Sequence, residues 1–158
     1  MKKILLIIAL LFPIGVFVFL RFFGKNEFSI PVYYEKGVDN PPTSCNRNYQ
    51  VPYQVSDSLL INLGWSGRPV LIVADTSQSV QKGLMRLDEE LSAEIQTIYL
   101  SGDRDYSDQV FMCDLLLQKP WTTVLLDDQR RIRGYYDPNA REEVDRLIVE
   151  LKILLKKY

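Results

Sequence analysis

Two cysteines, Cys45 and Cys113, and no histidine set the chemistry open to this chain of 158 residues. Without imidazole there is no His general base, no Ser/His or Cys/His catalytic pair and no metal site built on imidazole nitrogen. Two thiols are too few for a Cys-rich zinc site but enough for one disulfide. Three readings stay open. The cysteines form a structural bond between an N-terminal loop and a later helix, or Cys113 is a buried core thiol and Cys45 a bystander, or the two are a reactive pair. No basic residue adjoins either sulfur to depress its pKa, although Arg47 is near Cys45. A bond would close a long loop and stabilise the fold by roughly 3–4 kcal/mol in the chain-entropy model.

The charged clusters read as surface. Asp103, Asp105 and Asp108 have partial calcium-loop spacing, but the glycine and the bidentate glutamate are missing at the required offsets. A solvated loop explains them. Asp88-Glu89-Glu90 suits the wet side of a helix, and Asp127 and Asp128 suit a turn. Arg130, Arg131 and Arg133 make a basic hairpin tip, either a charged edge that guards against aggregation or a surface for anionic lipid or an acidic partner. Trp65 and Trp121 each stand beside a bend, where packing is the default and a partner surface the alternative. The net charge of −1 argues against nucleic acid as a partner.

The element that organises the rest starts at Pro69. Val70 to Ala74 is a continuous apolar run, as in a strand buried on both faces. Thr76, Ser77 and Ser79 can each cap a helix, and Val80, Leu84, Leu87 and Leu91 then mark one helical face. This strand-to-helix turn is where thioredoxin-like folds hold a reactive cysteine, since the helix dipole lowers a thiol pKa. Here the turn has none. Ile95–Leu100 predicts a second strand, 108–117 a short helix containing Cys113, 122–126 and 131–136 a hairpin, and Val144, Leu147, Ile148, Leu151, Leu154 and Leu155 the apolar stripe of a final helix. Upstream, 28–34 reads as extended with Pro31 at an edge, 37–48 as a loop, and 51–55 and 58–64 as short strands. The order β-α-β-α-β-β-α predicts an α/β, thioredoxin-like fold.

Residues 4–20 carry no charge and follow Lys2-Lys3. About 20 apolar residues match a ~30 Å hydrocarbon core, and the bulky residues that follow argue against signal cleavage. The expectation is an N-terminal transmembrane helix over 1–25, a linker and loop over 26–50, and a folded domain over 51–158. The domain would lie on the periplasmic side of an inner membrane, with the membrane itself as a partner.

The hairpin and last helix, Val124-Leu-Leu-Asp-Asp-Gln-Arg-Arg-Ile-Arg-Gly-Tyr-Tyr-Asp137 through Glu143–Leu155, resemble the Sco/SenC family. So do Phe28–Tyr34 and Leu100–Asp105, particularly as in bacterial members from Bacteroidetes. The resemblance implies a membrane-anchored thioredoxin fold that assists assembly of the cytochrome oxidase copper centre. The family binds copper through a CxxxC pair and a distal histidine. Those positions fall near Gln78, Lys82 and Lys119, and an amide and two ammonium groups cannot replace two thiolates and an imidazole. The turn glycine of the family's hairpin is Arg130. The resemblance therefore implies a member without catalytic residues or cofactor, acting as a binding accessory in oxidase or envelope-protein assembly with a respiratory or envelope protein as partner. The alternatives are a thiol–disulfide protein using Cys45 and Cys113, or an envelope adaptor unrelated to oxidases.

Overall fold

The computed structural model describes residues 2–23, 28–45, 47–100 and 110–156, with the side chains of the first helix described from residue 11 to 22. Its elements in chain order are α1 (Lys2–Phe23), α2 (Asp57–Asn62), β1 (Val70–Val73), α3 (Gln78–Leu91), β2 (Gln96–Tyr99), a single π-helical turn (Val110–Asp114), β3 (Thr123–Leu126), β4 (Ile132–Tyr136) and α4 (Arg141–Leu154). The strands form one four-stranded sheet in the order β2-β1-β3-β4. β1 runs parallel to β2, and β3 runs antiparallel to both β1 and β4. The chain is thus mixed α/β, with a β-α-β unit followed by an antiparallel hairpin.

All four residues of β1 are buried, because the sheet is covered on both faces. The period of two in a strand sorts its side chains. Leu71, Val73, Leu125 and Tyr136 pack with α3 and α4, and Val70, Ile72, Val124 and Leu126 pack on the opposite face. The expected helical stripe of Val80, Leu84, Leu87 and Leu91 is buried throughout. So are Val144, Leu147, Ile148 and Leu151 of the last helix, while Leu154 and Leu155 are half-buried. Gly83 lets α3 approach the turn before α4 closely, since a Cβ there would overlap the Pro138 carbonyl. Gly134 is required by Tyr136, whose ring lies across the space a Cβ would fill.

The opposite face is irregular, and it departs from the expected strands. Residues 58–62 lie in α2, and 51–55 join no strand of the sheet. Leu60, buried at 0% exposure, faces the sheet from one turn of helix, so alternation was the wrong period for this stretch. The helix expected over 108–117 is, in its described part, the π turn, after which Leu116 takes a left-handed backbone (φ 51°) and stops any helix. Of the expected core residues here, Leu115 and Leu117 are buried and Val110 and Phe111 half-buried; Cys113 is buried as well. The segment 28–34 forms no strand, although Tyr33 N–H donates to the Ile132 carbonyl (2.9 Å) at the edge of β4.

The expected transmembrane helix is corrected. Among the described residues no helix is long and apolar enough to cross a membrane. The inner-membrane, single-pass address that depended on such a span is withdrawn with it.

Candidate functional site

The ends of β1 and β3 meet where the Ala74 N–H donates to the Thr122 carbonyl (2.8 Å). Two connections leave this point, the turn into α3 and the chain that returns from the π turn to β3. Between them opens a cleft of about 520 Å³ lined by Ala74, Asp75, Phe111, Met112, Leu117 and Trp121, with Lys119 at its rim. Its lining is mainly apolar. The Asp75 carboxylate is turned to its own chain, accepting the Ser77 N–H at 2.8 Å. Thr122 also lines the cleft, and its Oγ1 is buried without a hydrogen-bond partner. Such an orphan costs about 1–3 kcal/mol until something pairs with it. The Lys119–Pro120 peptide is cis, and the turn closes with Trp121 N–H on the Gln118 carbonyl (3.1 Å).

Of the positions where the Sco/SenC resemblance implies copper ligands, Lys119 lines this cleft, while Gln78 and Lys82 line a separate surface recess along α3. Gln78 is the first residue of α3, Lys82 lies one turn further, and Lys119 precedes Pro120; all three are exposed. Ser77 holds the N-cap position, but its hydroxyl pairs with Ser79 (3.0 Å) instead of capping a backbone N–H. An amide and two ammonium groups here do not fit copper. Among the described residues no group of three or more Cys, Asp or Glu is placed to hold a metal. Asp103, Asp105 and Asp108 lie outside the described residues, as does most of 100–105.

The far wall of the cleft is the π turn, and the N-terminal loop grips it from behind. Cys45 and Cys113 are joined as a disulfide with Cα atoms 5.5 Å apart. Cys113 is 0% exposed and Cys45 7%, so the bond is enclosed. Tyr49 donates to the Cys113 carbonyl (3.2 Å), Tyr53 to the Asp114 carbonyl (2.5 Å) and Tyr135 to the Leu115 carbonyl (3.0 Å). Three successive carbonyls that the π turn leaves open are thus satisfied by three phenols from elsewhere in the chain. Arg47 adds an ion pair with Asp114, and that hydrogen bond holds the guanidinium pKa above its ordinary value. The tyrosines also meet edge to face, Tyr33 on Tyr135 at 5.5 Å and Tyr49 on Tyr53 at 5.4 Å. Burial pushes the phenols of Tyr53 and Tyr135 well above the usual tyrosine range.

Magnitudes show what the grip opposes. Leu116 in a left-handed backbone costs on the order of 1–2 kcal/mol. Each phenol contributes about 1 kcal/mol, and closing a loop across a sequence separation of 68 contributes roughly 4 kcal/mol. The bond is the largest part of the clamp; without it the three phenols, together about 3 kcal/mol, stand against the strain at Leu116.

The basic hairpin tip is neutralised, which corrects its reading as a charged surface. Asp127, 1% exposed, accepts the backbone N–H groups of Gln129 and Arg131 (both 2.9 Å) and the guanidinium groups of Arg131 (2.8 Å) and Arg133 (3.1 Å). Arg133 has no partner in β3, because Leu125 pairs with Gly134 and Leu126 with Ile132. As the extra residue of this bulge it is turned inward, donating also to the Ile30 carbonyl (2.6 Å). Arg130 pairs with Asp57 (3.2 Å) from a left-handed backbone, φ 64°, the conformation a turn glycine would adopt without strain. Asp128 is exposed. Trp65 packs on the irregular face with its indole N–H on the Arg68 carbonyl (2.7 Å), while Trp121 belongs to the cleft.

Sequence reasoning missed the cleft as a site. Phe111, Met112 and Leu117 show no period, and the one available signal was Lys119-Pro120-Trp121, a turn placing an aromatic ring just before a strand. No family model matches the chain, nor does any curated protein.

Proposed function

We propose that this protein is a Sco/SenC-like binding accessory without copper or redox chemistry, acting in cytochrome oxidase or envelope-protein assembly through the cleft at the end of β1. The observation that carries the reading is the pairing of a formed apolar cleft with unsuitable groups at the implied ligand positions. Phe111, Met112, Leu117 and Trp121 line a recess at the strand-to-helix turn, and Gln78, Lys82 and Lys119 offer neither thiolate nor imidazole. The enclosed Cys45–Cys113 bond counts against rapid thiol exchange as the main activity, because an incoming thiolate must reach sulfur. It suits an oxidising compartment.

Two measurements test this. Chelator competition with Cu(I) should detect no tight site, and tight copper binding would refute the reading. Calorimetry against the soluble copper-centre domain of a cytochrome oxidase should show an exothermic complex. Trp121→Ala should weaken it at least about tenfold, as expected for a buried aromatic anchor. Absent binding, or binding indifferent to Trp121→Ala, would also refute it.

A further inference from the structure

We propose that the Cys45–Cys113 disulfide is a latch that keeps the cleft formed, so that only the oxidised protein presents it. The proposal rests on the cleft being the binding site, and it concerns how that site is regulated. Phe111 and Met112, which form the far wall, belong to the π turn whose last residues are Cys113 and Asp114. Among the described residues, Leu115 N–H donates to the Val110 carbonyl (3.1 Å), an i to i+5 bond, and Leu117 N–H to the Phe111 carbonyl (2.9 Å). The turn runs into Leu116, whose left-handed backbone favours rearrangement. Its remaining hold comes from outside: the disulfide, Tyr49, Tyr53, Tyr135 and the Arg47–Asp114 pair. Four of these five partners lie within 45–53, so one loop carries most of the grip. π turns are rare and recur at functional positions.

The switching step needs a dithiol reductant, small molecule or protein. Its thiolate attacks the Cys45 sulfur, the less enclosed of the two, and Cys113 leaves as a thiolate. The second thiol of the reductant then attacks the mixed disulfide and releases Cys45. Two electrons and two protons pass to Cys45 and Cys113, which end as thiols, while the dithiol ends as its own disulfide. With the covalent tie gone, the phenol hydrogen bonds and the Arg47–Asp114 pair hold the turn without it, and residues 110–117 open far more often from the position that walls the cleft.

The test is hydrogen–deuterium exchange of the full chain, oxidised and after dithiothreitol. Amides of 110–118 should exchange at least about tenfold faster on reduction, while those of β1, β3, α3 and α4 stay within about twofold, as for a local opening. Cys45→Ser/Cys113→Ser should match the reduced protein and ignore dithiothreitol. Tyr53→Phe keeps the bond and should give a smaller rise in the same segment. In Trp65→Phe, where Trp121 is the remaining indole, reduction should increase acrylamide quenching. Unchanged exchange at 110–118, or faster exchange everywhere including β1, would overturn the latch. Neither readout uses a binding partner, so a latch that opens in a protein with no affinity for the copper-centre domain would remove the proposed function alone.

Discussion

On one face of the sheet, α3 and α4 lay down Val80, Leu84, Leu87, Leu91, Val144, Leu147, Ile148 and Leu151 at helical spacing, all buried. On the other, the cover is a short helix, a π turn and a group of tyrosines, fastened by a disulfide and by hydroxyls on named carbonyls. The first face is stabilised by apolar area shared among many contacts, so its energy is spread and cooperative. The second also buries an apolar cluster, Val55, Leu60, Leu115, Leu116 and Leu117 among it, and adds separate bonds at particular atoms, each of which can be removed alone. A layer built that way suits a binding wall, which needs one segment to move while the sheet stays fixed.

The largest way to break this contrast is alkaline pH. Burial raises the phenols of Tyr53 and Tyr135 on the irregular face and of Tyr136 on the helical one. A phenol whose folded pKa stands above its unfolded value of about 10 contributes stability below that pH and loses it as pH rises through the folded value. Unfolding followed by circular dichroism should therefore begin above about pH 10 and coincide with tyrosinate absorbance. Smooth ionisation of every tyrosine near pH 10 without loss of ellipticity would contradict the burial argument.

Next in size is Leu147→Ala, which opens a cavity in the helical face and should lower the urea unfolding free energy by about 2–5 kcal/mol with no special effect at the cleft. Gly134→Ala forces a methyl into the Tyr136 ring and should cost about 1–3 kcal/mol. Tyr135→Phe strips one hydrogen bond from the π turn. It should cost about 1–2 kcal/mol, with its exchange signature concentrated at 110–118. Equal signatures for Leu147→Ala and Tyr135→Phe would erase the distinction between the faces. Smallest is Arg130→Gly. Relief of a left-handed backbone should raise stability by up to about 1 kcal/mol, less what the exposed pair with Asp57 contributes, read as a shift in the urea midpoint.

How much was legible in the sequence follows the same divide. The stripes of α3 and α4 and the apolar run of β1 were readable because burial imposes a period on the chain itself. β3 and β4 were readable from β-forming residues either side of Asp127-Asp-Gln. Residues 51–64 misled, because their burial depends on partners about 60 residues away, as when Tyr53 meets Asp114, and no local spacing records that. Cys45 and Cys113 could be named as a candidate pair, yet the three tyrosine hydroxyls around them could not. Asp127 was placed in a turn correctly, but its burial was invisible, since the arginines that satisfy it looked like a surface cluster.

The Asp127 network also has a consequence for the order of folding. It ties Gln129, Arg131 and Arg133 to one carboxylate within seven residues of chain, so the β3–β4 hairpin closes at little loop entropy. The parallel pairing of β1 with β2 needs the whole of α3 between them, and the disulfide joins residues 68 apart. Contacts that are short in sequence form first. Sequence separation thus predicts the hairpin as the nucleus and β3 as the template on which β1 docks, which φ-values from Ile132→Val and Leu87→Ala would check.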